Sequence, residues 1–116
     1  MKLIRTLVFC LLAVLLSWTA KAFNQDRADS LSYLISSNVH DTSKVQAYIK
    51  LGEMYYLAKP RLADSIWVVG LRLAESIDDK KGQAEILVNT GWLLMSKGDI
   101  DSSIAHFRKA LEFRGL

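Results

Sequence analysis

The 116 residues include a single cysteine, a single proline, six glycines and two histidines. With only Cys10, a disulfide framework and a cysteine-based metal site within the chain are both excluded. The histidines, His40 and His106, lie far apart on different expected elements, so no catalytic or metal-ligating cluster can be assembled around them at a recognised spacing. Gly-rich phosphate loops, nucleophile elbows and paired-carboxylate motifs are absent as well. Basic charge is scarce where it would matter. Three of the 15 Lys and Arg residues fall in the first 22 positions, and the 12 that follow are matched by 12 Asp and Glu, which leaves no basic surface for nucleic acid. A chain of this length holds one small domain at most.

What the sequence does have begins at the N-terminus. Lys2 and Arg5 precede an apolar stretch from Leu7 to Trp18 that only Ser17 interrupts, and Ala20-Lys21-Ala22 puts small residues at the two positions a signal peptidase reads. That order predicts a secretory signal over residues 1–22, cleaved after Ala22, with Cys10 discarded. Twelve helical residues rise only about 18 Å against a hydrocarbon core of about 30 Å, so a retained membrane span is the weaker expectation. The chain is therefore expected to be exported, to the periplasm or cell envelope, touching a membrane only through the signal segment if that is left uncleaved.

From Ala28 to Phe113 apolar residues recur at helical spacing, and no stretch alternates with the period of two of a half-buried strand. The expected fold class is all-α with about five helices. A lead helix runs from about Asp26 to Ser37 and stops near Asn38, making residues 23–44 a lead helix and linker. Asp41-Thr42-Ser43 supplies cap oxygens, and Ser43 with Gln46 forms a capping-box pattern before a helix reaching about Ala58. Pro60 opens the next helix, Asp78 to Gly82 breaks it as a solvated turn, a fourth helix spans Gln83 to Lys97, and Asp99 caps a fifth that ends near Arg114. Connections this short force consecutive helices into antiparallel hairpins.

The hairpins repeat. Tyr48, Leu51, Gly52 and Tyr55 follow an aromatic-x2-Leu-Gly-x2-Tyr pattern, which Leu87, Thr90, Gly91 and Leu94 reproduce more loosely 39 residues later. Ala63, Trp67 and Gly70 are answered by Ser103, Phe107 and Ala110 at an offset of 40. Each copy sets a small residue where helices approach closely and a large one beside it. In these positions residues 45–116 resemble the tetratricopeptide repeat family, as two helix pairs at 45–82 and 83–116. Ser103 departs from the family's Ala, Thr90 from its Leu, and the closing Pro is missing from both copies. The resemblance implies hairpins stacked as a short right-handed solenoid. The signal, lead helix and helix pairs together also resemble the exported N-terminal region of bacterial sensor histidine kinases and related membrane regulators.

That resemblance implies a protein-interaction module and no enzyme, binding a protein or peptide segment without a cofactor. In stacked pairs the first helices line a concave groove, where the positions not used for internal packing are Gln46, Ile49, Glu53, Tyr56, Glu85, Val88, Asn89, Trp92 and Met95. An asparagine placed like Asn89 grips peptide backbone through its amide in the family. Tyr56, Trp92 and Met95 offer large contact area. For Trp92 and Val88, packing against the preceding pair is an equal alternative. The last helix carries more apolar positions, Ile100, Ile104, Phe107, Leu111 and Phe113 among them, than one neighbour covers. This predicts self-association through the C-terminal helix, or a chain that is the truncated sensory or relay region of a longer membrane regulator, the alternative function.

Overall fold

The structure is a computed structural model that describes residues 1–37 and 40–115, without the side chains at 20 and 22–24. The expected helix stop at Asn38 and the terminal Leu116 lie outside the described residues. Every element is helical: α1 (Lys2–Ser36), α2 (Thr42–Tyr55), α3 (Pro60–Ser76), α4 (Lys80–Ser96) and α5 (Ile100–Phe113), with no strand among the described residues. The chain forms two compact units, Met1–Ser30 and Leu31–Leu116.

The helix expected from about Asp26 begins much earlier, because α1 runs without a break from Lys2 to Ser36. No glycine or proline falls within these residues to interrupt it. Lys2–Thr19 is an 18-residue window long and apolar enough to cross a membrane, with none of it buried. Its helical rise of about 27 Å approaches the thickness of a hydrocarbon core. Length therefore does not favour a signal over an anchor, contrary to the argument from Leu7 to Trp18 alone.

In the second unit α2 packs on α3, α4 packs on α5, and α4 also meets both α2 and α3. The helix starts are fixed by aspartates. Asp41 accepts from the Lys44 amide at 3.2 Å, Asp79 from the Gly82 amide at 2.9 Å and Asp99 from the Ser102 amide at 3.3 Å. Two expectations change as a result. Of the cap oxygens expected at Asp41, Thr42 and Ser43 it is Asp41 that caps α2, and Gln46 turns toward α4 instead of reaching back to Ser43 as a capping-box partner. The break at Asp78 to Gly82 shrinks because Asp79 starts α4 at Lys80.

The last two turns share one geometry. Asp78 and Gly98 both have positive φ, 55° and 85°, and the aspartate that follows each donates its amide to a carbonyl five residues back, Ala74 at 2.8 Å and Leu94 at 3.0 Å. Gly98 adopts that conformation freely, and aspartate is among the few other residues that tolerate it. At the start of the unit, Lys44 is only 7% exposed, and its ammonium donates to the Ser37 carbonyl at 2.8 Å. This satisfies an acceptor just beyond the end of α1.

The core gathers Val45 and Ile49 from α2, Ala63, Trp67 and Ala74 from α3, and Ile86 and Leu93 from α4. A second, smaller cluster of Ala84, Leu87 and Ala110 joins α4 to α5. The sequence repeat reappears here as contact. Gly52 lies directly against the indole of Trp67 and Gly91 against the ring of Phe107, so both glycines mark a helix-to-helix crossing.

The second copy has a flaw at Ser103, the counterpart of Ala63. It is fully buried, and its hydroxyl has no hydrogen-bond partner. An unsatisfied buried hydroxyl costs about 1 to 3 kcal/mol, and alanine is the better helix former. Ser103→Ala should therefore raise stability by about 1 kcal/mol, a gain of roughly 5 °C in melting temperature for a unit of this size. Thermal denaturation followed by circular dichroism measures it, and a variant that melts below the wild type contradicts the account of the flaw.

Candidate functional site

Because α4 lies against α2, one stripe of each helix faces the other across a shallow cleft. On α2 the stripe is Gln46 and Glu53, seven residues apart, extended by Tyr56 just past the helix end. On α4 it is Glu85, Asn89 and Trp92, at helical spacings of four and three. Two side-chain hydrogen bonds join the stripes. The Gln46 amide donates to Glu85 Oε2 at 3.2 Å, and the Asn89 amide donates to Glu53 Oε1 at 3.3 Å.

Beside the second of these bonds is an open groove of about 380 Å³ lined by Glu53, Tyr56, Trp67, Asn89 and Trp92. Aromatic rings make its floor and one wall. Trp67 is 1% exposed, its indole N–H donates to the Ile49 carbonyl at 3.2 Å, and its ring lies 6.0 Å from that of Tyr56 at 35°. Trp92 stands edge-on to Phe107 at 5.4 Å and 67°, yet remains 54% exposed. Held on one side by Phe107 and open on the other, Trp92 offers a large apolar face with little rotameric freedom left to lose.

Of the nine residues expected in the groove, Glu53, Tyr56, Asn89 and Trp92 come together in it. Gln46 and Glu85 pair with each other farther along the same seam. Ile49 is a correction. It is 2% exposed and belongs to the core, because α4 stacks against α2 as well as α3 and so covers the intervening stripe. Val88 packs partly buried against Ala84, Leu87 and Ala110, while Met95 lies exposed near the end of α4 and does not line the groove. Asn89, expected to offer its amide to a ligand, directs its N–H group to Glu53.

Sequence reasoning missed Trp67 as a lining residue. Its pairing with Phe107 in the repeat marked it as a filler between helices, and it is one. Its contribution to the groove floor arises because Gly52 lets α2 approach the indole closely, a consequence that depends on two helices at once.

His106 Nδ1 lies 2.8 Å from the Ser102 carbonyl one turn earlier on α5, and His40 is exposed in the connection before α2. No three His, Cys, Asp or Glu gather as a metal-binding group among the described residues. Compared with models of protein families, with curated proteins and with solved structures, the chain shows no match.

Proposed function

We propose that this chain is an exported or membrane-anchored interaction module of the tetratricopeptide kind, two helix pairs stacked as a short solenoid, which binds a peptide or protein segment in the groove between α2 and α4. It acts by binding and not by catalysis. The observation that carries the reading is the exposed Trp92, fixed edge-on against Phe107 on the wall of a groove that also presents Glu53, Tyr56 and Asn89. Rigid aromatic anchors beside a few amides and carboxylates suit an extended peptide, whose backbone needs hydrogen-bond partners and whose side chains need apolar contact. The apolar, unburied Lys2–Thr19 supports export or anchoring.

The test is selection of random decapeptides displayed on phage against the full chain in mild detergent, with Asn89→Ala and Trp92→Ala in parallel. Both side chains lie at the groove and outside the buried core, so the variants should stay folded, with Trp92→Ala melting about 5 °C lower for the loss of its contact with Phe107. Peptides enriched on the wild type should be lost on Trp92→Ala and weakened on Asn89→Ala. Equal enrichment of the same peptides on all three proteins would remove the groove assignment. The intact mass of the protein recovered from cells reads, in the same preparation, whether the chain begins at Met1 or at Phe23.

A further inference from the structure

The groove has a charge as well as a shape. Glu53 is the only ionisable carboxyl or amine among its lining residues, and the next charged position along the α4 stripe, Glu85, is also acidic. No lysine or arginine lines it; Lys50, the nearest basic residue in sequence on α2, lines a different cleft with Leu31, Leu34 and Gln46. The aromatic residues Tyr56, Trp67 and Trp92 line the same groove as Glu53. Asn89 engages Glu53 Oε1 through one N–H group, so most of the acceptor capacity of the carboxylate remains free.

A negative carboxylate beside electron-rich ring faces is complementary to one kind of group, a cation with apolar flanks. We propose that the groove recognises an arginine side chain of an extended peptide, its guanidinium paired with Glu53 and lying against Tyr56 and Trp92. Arginine fits better than lysine. A planar guanidinium stacks on aromatic faces while donating two parallel N–H bonds to a carboxylate, whereas an ammonium is a compact, strongly hydrated charge with no plane to stack. Asn89 then has a defined part: its bond holds the Glu53 carboxylate at the rim, which makes it a positioning residue for the cation.

The proposal rests on the reading of the groove as a peptide site, and the experiment separates the two. Fluorescein-labelled decapeptides with identical neutral flanks and a central Arg, Lys or citrulline are titrated against the full chain in zwitterionic nanodiscs, with anisotropy as the readout. Citrulline keeps the shape of arginine and removes its charge. On the wild type the Arg peptide should bind about tenfold more tightly than the citrulline peptide, with Lys between them. Glu53→Gln should bring the Arg and citrulline peptides to the same affinity, and Trp92→Ala should weaken all three. If Arg and citrulline bind equally to the wild type while Trp92→Ala weakens both, the groove stands and the arginine assignment is overturned. If Trp92→Ala leaves every affinity unchanged, or no peptide binds, the groove reading falls and the arginine assignment with it.

Discussion

Gly52→Ala should lower the melting temperature by about 15 °C, equivalent to about 3 kcal/mol for a unit of this size. The sign is the informative part. In an exposed helix interior the same change raises stability by about 1 kcal/mol, because alanine is the better helix former. Here a Cβ at position 52 would stand 2.1 Å from Trp67 Nε1 and 2.5 Å from Cε2, so the indole must retreat. That retreat breaks its packing and its hydrogen bond. Trp67 is buried in the core, its N–H is committed to the Ile49 carbonyl, and Tyr56 lies against its ring. Gly91→Ala supplies the control within the same molecule. Its Cβ would meet Phe107 Cε1 at 2.7 Å, but that ring is only partly buried and makes no polar contact, so it can swing outward at a cost of about 1 kcal/mol. Denaturant titrations of both variants should rank Gly52→Ala as much the worse, and a Gly52→Ala protein as stable as the wild type would contradict the close approach of α2 to Trp67.

The contrast between the two glycines also explains how much of this molecule was legible beforehand. Helical periodicity and single punctuation residues give α3 and α5 almost to the residue, because Pro60 and Asp99 act locally and their effect does not depend on what packs nearby, whereas α4 starts three residues before the expected Gln83. The start of α2 was displaced because two candidate caps compete within three residues, and sequence does not tell that the Gln46 side chain has a better partner in Glu85, 39 positions away. The N-terminal helix was misjudged for a different reason. The lead helix was expected to begin near Asp26, but nothing between the apolar stretch and that point breaks a helix, since residues 2–36 contain neither glycine nor proline.

The groove was less legible than the fold. Glu53, Tyr56, Asn89 and Trp92 follow from knowing that α2 and α4 lie side by side, a fact implied by the repeat. Ile49 was misplaced since helical spacing fixes a residue's angle around its own helix but not how far a neighbouring helix wraps over it. The Asn89 to Glu53 bond was invisible for the same reason, because it crosses between helices at an offset of 36, outside the 39 to 40 period of the repeat. It changes the chemistry expected of the site, since the asparagine amide is already engaged and the groove's free polar group becomes a carboxylate.

Trp67→Ala is expected to have the largest effect of any single substitution in the chain. Trp67 is the largest fully buried side chain, it touches core residues from α2 and α4, and truncating a buried tryptophan costs about 3 to 5 kcal/mol through lost transfer energy and the cavity left behind. An 86-residue unit has a total stability of roughly 4 to 13 kcal/mol, so the variant loses about a quarter of it or more and should melt about 15 to 25 °C below the wild type. Trp67→Phe separates packing from the hydrogen bond. It keeps a ring on the groove floor and gives up the N–H to the Ile49 carbonyl, at a cost of about 1 to 2 kcal/mol. The smaller ring also vacates the space that a Cβ at position 52 would need, so Gly52→Ala combined with Trp67→Phe should lose clearly less stability than the sum of the two single changes. A double-mutant cycle from urea denaturation reads this coupling directly. Strict additivity, or a Trp67→Ala protein that unfolds cooperatively near the wild-type temperature, would mean that the indole is not the wedge between α2 and α3 on which both the core and the groove floor are built.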